Sequence, residues 1–284
     1  MIFSKPIEEV VKTRRSVRSY TDKPIPQEVK DQINAYIADL NSPFPARGVF
    51  RFIETAQEQG GVKLGTYGMI KGAAVFIGAA VPDTAYAVEA IGYEFERLML
   101  YLTTLGLGTC WLGGTFNRDE FKKTMGITEG TLFPAVTPVG YFERKSLKET
   151  LVRGFVKADT RKPWATMFFN GDFKTPLTES AAGAYAVALE MVRLGPSASN
   201  KQPWRVVKEG SLYHFYEYKI PGYSSAFNFY MQSLDMGIAA CHFHLTVIEK
   251  GLKGAFVFGG APDVECPENI IYKFSWASDI PPSE

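Results

Sequence analysis

Residues 88–114, VEAIGYEFERLMLYLTTLGLGTCWLGG, can be laid over residues 233–260, SLDMGIAACHFHLTVIEKGLKGAFVFGG. Gly92 then falls on Gly237, Gly106 on Gly251 at the same offset, and Gly113 on Gly259 after a one-residue gap. Each copy reads as a buried helix, a glycine that stops it, a short strand and a Gly-Gly pair. Self-similarity with a period near half the chain marks a duplicated unit. Upstream, SPFPARGVFRFIE (42–54) lies over GPSASNKQPWRVVKE (195–209) with Arg51 on Arg205, a match more in position than in residue. The reading is two diverged copies of one fold, residues 1–158 and 159–284.

The rest of the chain fits an α+β class. PIPQEVKDQINAYIADL (24–40) carries apolar residues at helical spacing, as a surface helix with one buried stripe does. EAIGYEFERLMLYLTTL (89–105) is more apolar than polar on every side, as a central buried helix requires. Strand-like runs cover 71–81, 131–141, 204–218 and 270–277.

Composition excludes several function classes. The 284 residues hold 31 Lys+Arg against 30 Asp+Glu, a net charge of +1, with 46% apolar residues. At about 150 residues per domain this is enough for two medium cores. A balanced charge provides no long-range field for a phosphate backbone or an anionic membrane, so any anion must be held by a local cluster. No window approaches the apolar length of a membrane span, and the N-terminus lacks a signal-peptide core. Three cysteines without a CxxC pair suit a reducing compartment, so a cytoplasmic protein is expected, with neither nucleic acid nor membrane as partner.

Three segments carry chemistry. Thr13-Arg14-Arg15-Ser16-Val17-Arg18-Ser19-Tyr20 puts three guanidinium groups and small hydroxyls in eight residues, the donor set of a phosphomonoester site as well as of a solvated basic face. Gly195-Pro196-Ser197-Ala198-Ser199-Asn200-Lys201-Gln202-Pro203-Trp204 is a turn whose small residues permit close approach of a flat ligand, with Asn200 and Gln202 as donors and acceptors for a polar ring edge. Leu105-Gly106-Leu107-Gly108-Thr109-Cys110-Trp111-Leu112-Gly113-Gly114 has Trp111 where a dinucleotide fingerprint needs its third glycine. Its closing glycines leave backbone N–H groups to face a ligand.

Together RRSVRSY (14–20), LGLGTCWLGG (105–114) and PSASNKQPW (196–204) resemble the nitroreductase family of FMN-dependent oxidoreductases, in the branch where one chain carries two fused copies. The resemblance implies a nitroreductase-like three-layer α+β fold forming an intramolecular pseudo-dimer, a monomer that needs no second chain. It implies that Arg14, Arg15 and Ser16 hold the phosphate and ribityl groups of FMN, and that Arg18 approaches the N1/C2 side of the ring. The backbone of Gly113 and Gly114 would lie near flavin N5, with Leu112 and Trp111 beside the ring. Pro196, Ser197, Ala198, Ser199 and Asn200 would close over the cofactor from the other half, and Arg161 would be a second phosphate ligand. Gly65-Thr66-Tyr67-Gly68 falls where the family has further ring contacts. The mirror place, built from SPFPARGVF (42–50) and RKPWATMFF (161–169), lacks the serines, the Asn and most of the arginines, so one FMN per chain is expected.

The implied activity is an NAD(P)H oxidoreductase in which NADH or NADPH reduces the flavin and a small-molecule acceptor, a nitroaromatic or quinone, then takes its place in ping-pong order. The flavin carries the chemistry and no protein group need be catalytic. A flavin-binding sensor or store is the alternative. No metal site is expected: His242 and His244 are two apart on a helix and point different ways. Cys110 reads as a small buried hydrophobe.

Overall fold

The computed structural model describes residues 2–54, 65–128, 130–143 and 160–280. Two sheets flank a central pair of helices. In the first half, α1 (Ile7–Thr13) and α2 (Gln27–Ala38) precede β1 (Val49–Glu54) and β2 (Val75–Pro82). Then come α3 (Ala87–Thr104), β3 (Gly108–Thr109), α4 (Arg118–Thr124) and β4 (Thr131–Gly140). The second half runs β5 (Phe168–Asn170), α5 (Glu179–Ala182), α6 (Ala186–Leu194), β6 (Trp204–Glu209), β7 (Leu212–Tyr218), α7 (Met231–Glu249), β8 (Gly254–Val257) and β9 (Ile270–Ser278).

The duplication is visible in the topology. The first sheet has the order β1-β2-β4-β3, and the second β5-β6-β7-β9-β8. Taking β6, β7, α7, β8 and β9 as counterparts of β1, β2, α3, β3 and β4 makes the two orders the same. β5 is the addition: it runs parallel to β6, with Phe168 opposite Val206. The other pairings between these strands are antiparallel. The 204–218 run is not one strand but a hairpin, folded at Gly210-Ser211 so that Glu209 faces Leu212. The boundary at 158/159 lies outside the described residues.

The equivalent helices end alike. At α3, Leu107 N–H reaches back to Leu102 C=O (3.0 Å) over Gly106, which has φ +75°. At α7, Leu252 N–H reaches Val247 C=O (3.0 Å) over Gly251, φ +70°. Both are closures in which a left-handed glycine lets the last carbonyls be satisfied. Each helix is buried on nearly all sides. α3 packs on the first sheet through Ile91, Phe95, Leu98 and Leu102. α7 packs on the second through Ala239, Phe243 and Val247, joined by α1 and α6.

The two helices cross with their backbones in contact. A Cβ on Gly92 would fall 2.9 Å from Gly237 Cα and collide with Leu234 O; one on Gly237 would fall 2.8 Å from Gly92 Cα and collide with Glu89 O. The contact is reciprocal: Glu89 and Leu234 are themselves counterparts under the offset that relates Gly92 to Gly237. Residues that touch their own equivalents lie on a two-fold axis. Gly237→Ala therefore overpacks the axis itself, with a loss of ~1–3 kcal/mol in denaturant unfolding expected. Unchanged stability would show that the helices can separate to admit a methyl group.

Candidate functional site

Past α1 the chain becomes extended. Ser16 bridges Thr109, with Val17 N–H on Thr109 C=O at 2.8 Å, and Lys71 N–H bonds Arg18 C=O at 2.8 Å. Extended backbone alternates its side chains, so Arg14, Ser16 and Arg18 share one face while Val17 enters the core. Arg14 is 6% exposed and pairs with the fully buried Glu96 at 3.4 Å. Glu96 also accepts from Trp111 Nε1 (2.7 Å) and contacts His242 Nε2 (2.9 Å), whose Nδ1 donates to Met191 O (2.9 Å). Burial pushes the Glu96 carboxyl up, but Arg14, His242 and Trp111 more than offset this and hold it below the ordinary carboxylate value. Even so, Arg14 Nε and Nη1 and Arg18 Nε are buried without hydrogen-bond acceptors among the described residues.

The loop after α6 approaches from the second half. Ser199, Asn200 and Gln202 all have positive φ (49°, 53° and 49°), a conformation that costs about 1–3 kcal/mol per non-glycine residue and must be held by its surroundings. The ties are visible. Ser197 Oγ accepts from Gln202 N–H (2.8 Å), Ala198 N–H donates to Asp235 Oδ1 (2.9 Å), and Asn200 Nδ2 donates to Thr160 O (3.0 Å). Arg161 donates to Leu194 O through Nη2 (3.0 Å) and to Asn200 Oδ1 (3.5 Å).

The third wall is the end of the short strand. Leu112 exchanges hydrogen bonds with Val136 (3.0 Å each), and Arg118 Nη2 donates to Gly113 O at 2.6 Å. That guanidinium sits against the rings of Phe116 (4.8 Å) and Phe227 (5.2 Å). With its carbonyl clamped, the Gly113-Gly114 turn is fixed against α7, where a Cβ on Gly113 would lie 2.7 Å from Met231 Sδ.

These walls enclose one cavity of 510 Å³, within the usual range for a small-molecule or cofactor site. Arg14, Arg15, Ser16, Arg18, Leu112, Gly113, Gly114, Arg161, Pro196, Ser197, Ala198, Ser199 and Asn200 all line it, as does Trp111. The family model described as "Putative TM nitroreductase" matches residues 6–247. The chain belongs to that family. No curated protein matches it. A structure described as a putative nitroreductase from Thermotoga maritima MSB8 is 20% identical, covers 96% of this chain and 94% of its own, and has a TM-score of 0.57, a likeness of fold. A nitroreductase family protein from Clostridium novyi NT is 19% identical over 51% of this chain and 91% of its own (TM-score 0.41). A nitroreductase with bound FMN from Bacteroides fragilis NCTC 9343 is 19% identical over 51% and 92% (TM-score 0.40).

In this nitroreductase-family chain, some expectations need correcting. Gln202 does not face a ligand: it is 3% exposed, accepts from Lys162 N–H (2.8 Å) and donates to Thr160 O (3.3 Å) and Asn200 Oδ1 (3.0 Å), tying the segment around Arg161 to the loop. Gly65-Thr66-Tyr67-Gly68 does not line the cavity; Met69, just beyond, does. Residues 161–169 do not build a mirror place either, because Arg161 lines the cavity and Phe168 begins β5. The sequence reading missed Tyr223, Phe227 and the face of α7 formed by Met231, Asp235 and Ile238. The spacing of those three along the helix was the available signal.

Around the mirror place the structure is filled with aromatic rings. Phe44, which overlays Ser197, packs against Phe258, the counterpart of Leu112, at 5.3 Å, and Tyr86 lies 5.0 Å from Phe258. The loop bearing Phe44 is pinned by Gly48 N–H donating to Glu94 Oε2 (2.8 Å). Burial, opposed by that amide, pushes the Glu94 carboxyl up to about 7. A carboxyl raised in the folded state gives full stability below its ordinary range and loses it as pH climbs through the folded value. Glu94→Gln, which keeps the neutral shape, is expected to match the parent near pH 4 and to exceed it at pH 8 by up to ~3 kcal/mol in denaturant unfolding. Equal stability at both pH values would rule out burial of this charge as a cost.

Proposed function

We propose that the chain is an FMN-dependent NAD(P)H oxidoreductase that binds one FMN between its two halves, 1–158 and 159–284, and works as a single chain. The observation that carries this reading is the convergence of thirteen residues, from Arg14 to Asn200, on one cavity, with Arg14 Nη1 and Arg18 Nε buried and without acceptors among the described residues. Such groups call for an anion, since a buried cation without full partners is costly. The donor set fits the cofactor. Arg14, Arg15, Ser16 and Arg161 would hold its phosphate and ribityl chain, and Arg18 would stand beside the negative charge of the reduced ring. Gly113 and Gly114, having no side chains, admit a flat ring close to the backbone, with Leu112 and Trp111 as apolar walls. FMN, when bound, would supply reversible hydride transfer between reduced nicotinamide and a nitroaromatic, quinone or similar acceptor. Reductant and acceptor would enter the same cavity in turn. Three cysteines without a disulfide suit a reducing cytoplasm.

The test is the visible spectrum of protein purified without added flavin, with flavin measured per chain after denaturation and NADPH then added without oxygen. About one FMN per chain, bleached by NADPH, is expected. Two per chain would overturn the single-site assignment, and none after incubation with FMN would overturn the function. A stable yellow colour that neither NADH nor NADPH bleaches would favour a flavin-binding sensor or store.

Variants sharpen the assignment. Arg18→Ala with Asn200→Ala is expected to weaken FMN binding by about 30-fold or more, from ~1.5–3 kcal/mol per lost hydrogen bond to a charged group and less for the neutral one. Arg47→Ala is expected to leave it unchanged, since Arg47 donates to Leu40 O (3.1 Å) and Ala38 O (3.3 Å) at the end of α2. Loss of colour in the Arg47 variant would refute the single-site model.

A further inference from the structure

Among the described residues lining the cavity, Asp235 is the one acidic side chain. It stands on α7 between Met231 and Ile238 and is 2% exposed. Its Oδ1 accepts from Ala198 N–H at 2.9 Å, while Oδ2 is buried and has no partner among the described residues. Burial pushes this carboxyl well above the ordinary aspartate value; the Ala198 amide opposes the shift, and Glu217 on β7 adds to it. Glu217 is itself held by Lys273 Nζ (3.3 Å) and Ser233 Oγ (3.0 Å), and Tyr223 stands on the cavity side. A neutral carboxyl has one O–H. With Oδ1 committed as an acceptor, that hydrogen belongs on Oδ2, where the protein offers nothing to receive it. The offset that pairs Gly92 with Gly237 puts Ala90 opposite Asp235, so the carboxyl occurs on α7, which lines the cavity, and not at the equivalent position of α3.

We propose that Asp235 is a cofactor-binding residue that donates a hydrogen bond from Oδ2–H to an uncharged acceptor atom of the bound flavin. This rests on the FMN reading above. Asp235→Asn retains both halves of the arrangement, an oxygen for Ala198 N–H and an N–H for the ligand.

The test has two readouts on the full chain. Titration of flavin-free protein with FMN, followed by flavin fluorescence, is expected to give Asp235→Asn an affinity within about threefold of the parent. Infrared difference spectra of FMN binding to protein with 13C-labelled aspartate carboxyls are expected to show an isotope-sensitive protonated-carboxyl band that moves to lower frequency on binding and is missing from Asp235→Asn. Failure of the parent to bind FMN would sink the function itself. FMN binding with no such band, with a band that does not move, or with affinity lost in Asp235→Asn would leave the function standing and overturn the role of Asp235; the first and last outcomes would indicate an ionised acceptor, the second a structural tie to the loop. An Asp235→Asn chain that does not fold leaves the labelled parent spectrum to decide.

Discussion

Two helix backbones touch at Gly92 and Gly237, and the placement of both sheets follows from that contact. A side chain on either residue would push α3 and α7 apart by the width of a methyl group, and the helices carry the two cores with them. Because each residue meets its own counterpart, the contact fixes the axis relating the halves. From that axis it follows that the strand end at Leu112–Gly114 faces the N-terminal turns of α7 and the loop at Pro196–Asn200. The cavity is a consequence of how closely two helices pack, since Gly237 lies between Asp235 and Ile238 of its wall.

Electrostatics then makes the site one-sided. Glu96 sits where Arg14, Trp111 and His242 all converge, and it joins a cavity cation and a cavity ring from the first half to the main helix of the second. A buried carboxylate with those partners immobilises the arginine, so a guanidinium group can face a ligand without loss of order. The opposite place has no such knot. It holds Phe44, Tyr86 and Phe258 in van der Waals contact, an apolar packing of rings.

Much of this was legible from residue order. The α3 and α7 segments are apolar all round, and the glycines that stop them recur at one offset, so the duplication and the buried pair could be read directly. Twelve of the thirteen residues assigned to the cofactor came from three short segments, with Arg161 standing apart, and each segment reaches the same cavity. What could not be read depends on partners distant in sequence. Gln202 and Asn200 look alike in a polar turn and both bond Thr160 O; the approach of Lys162, whose N–H donates to Gln202 Oε1, makes Gln202 a buried strut, while Asn200 keeps its place at the wall. β5 is three residues long and exists because Val206 and its neighbours offer an open edge, which no local pattern announces. Asp235 shares one stripe of α7 with Met231 and Ile238, but in a helix buried on nearly all sides the spacing does not say which stripe meets a cavity; the packing of the two halves decides that.

The fusion of the two copies also changes what evolution can do with them. In an assembly of identical chains every substitution appears twice, and a ring placed at the position of Phe44 would close both sites at once. With both copies in one polypeptide the substitution is made once, so one site can be given over to packing while the other keeps its small, polar loop. The partner half is also tethered, and its local concentration does not fall when the protein is diluted. A cell holding a handful of copies would have the same cavity formed in each as a cell holding thousands.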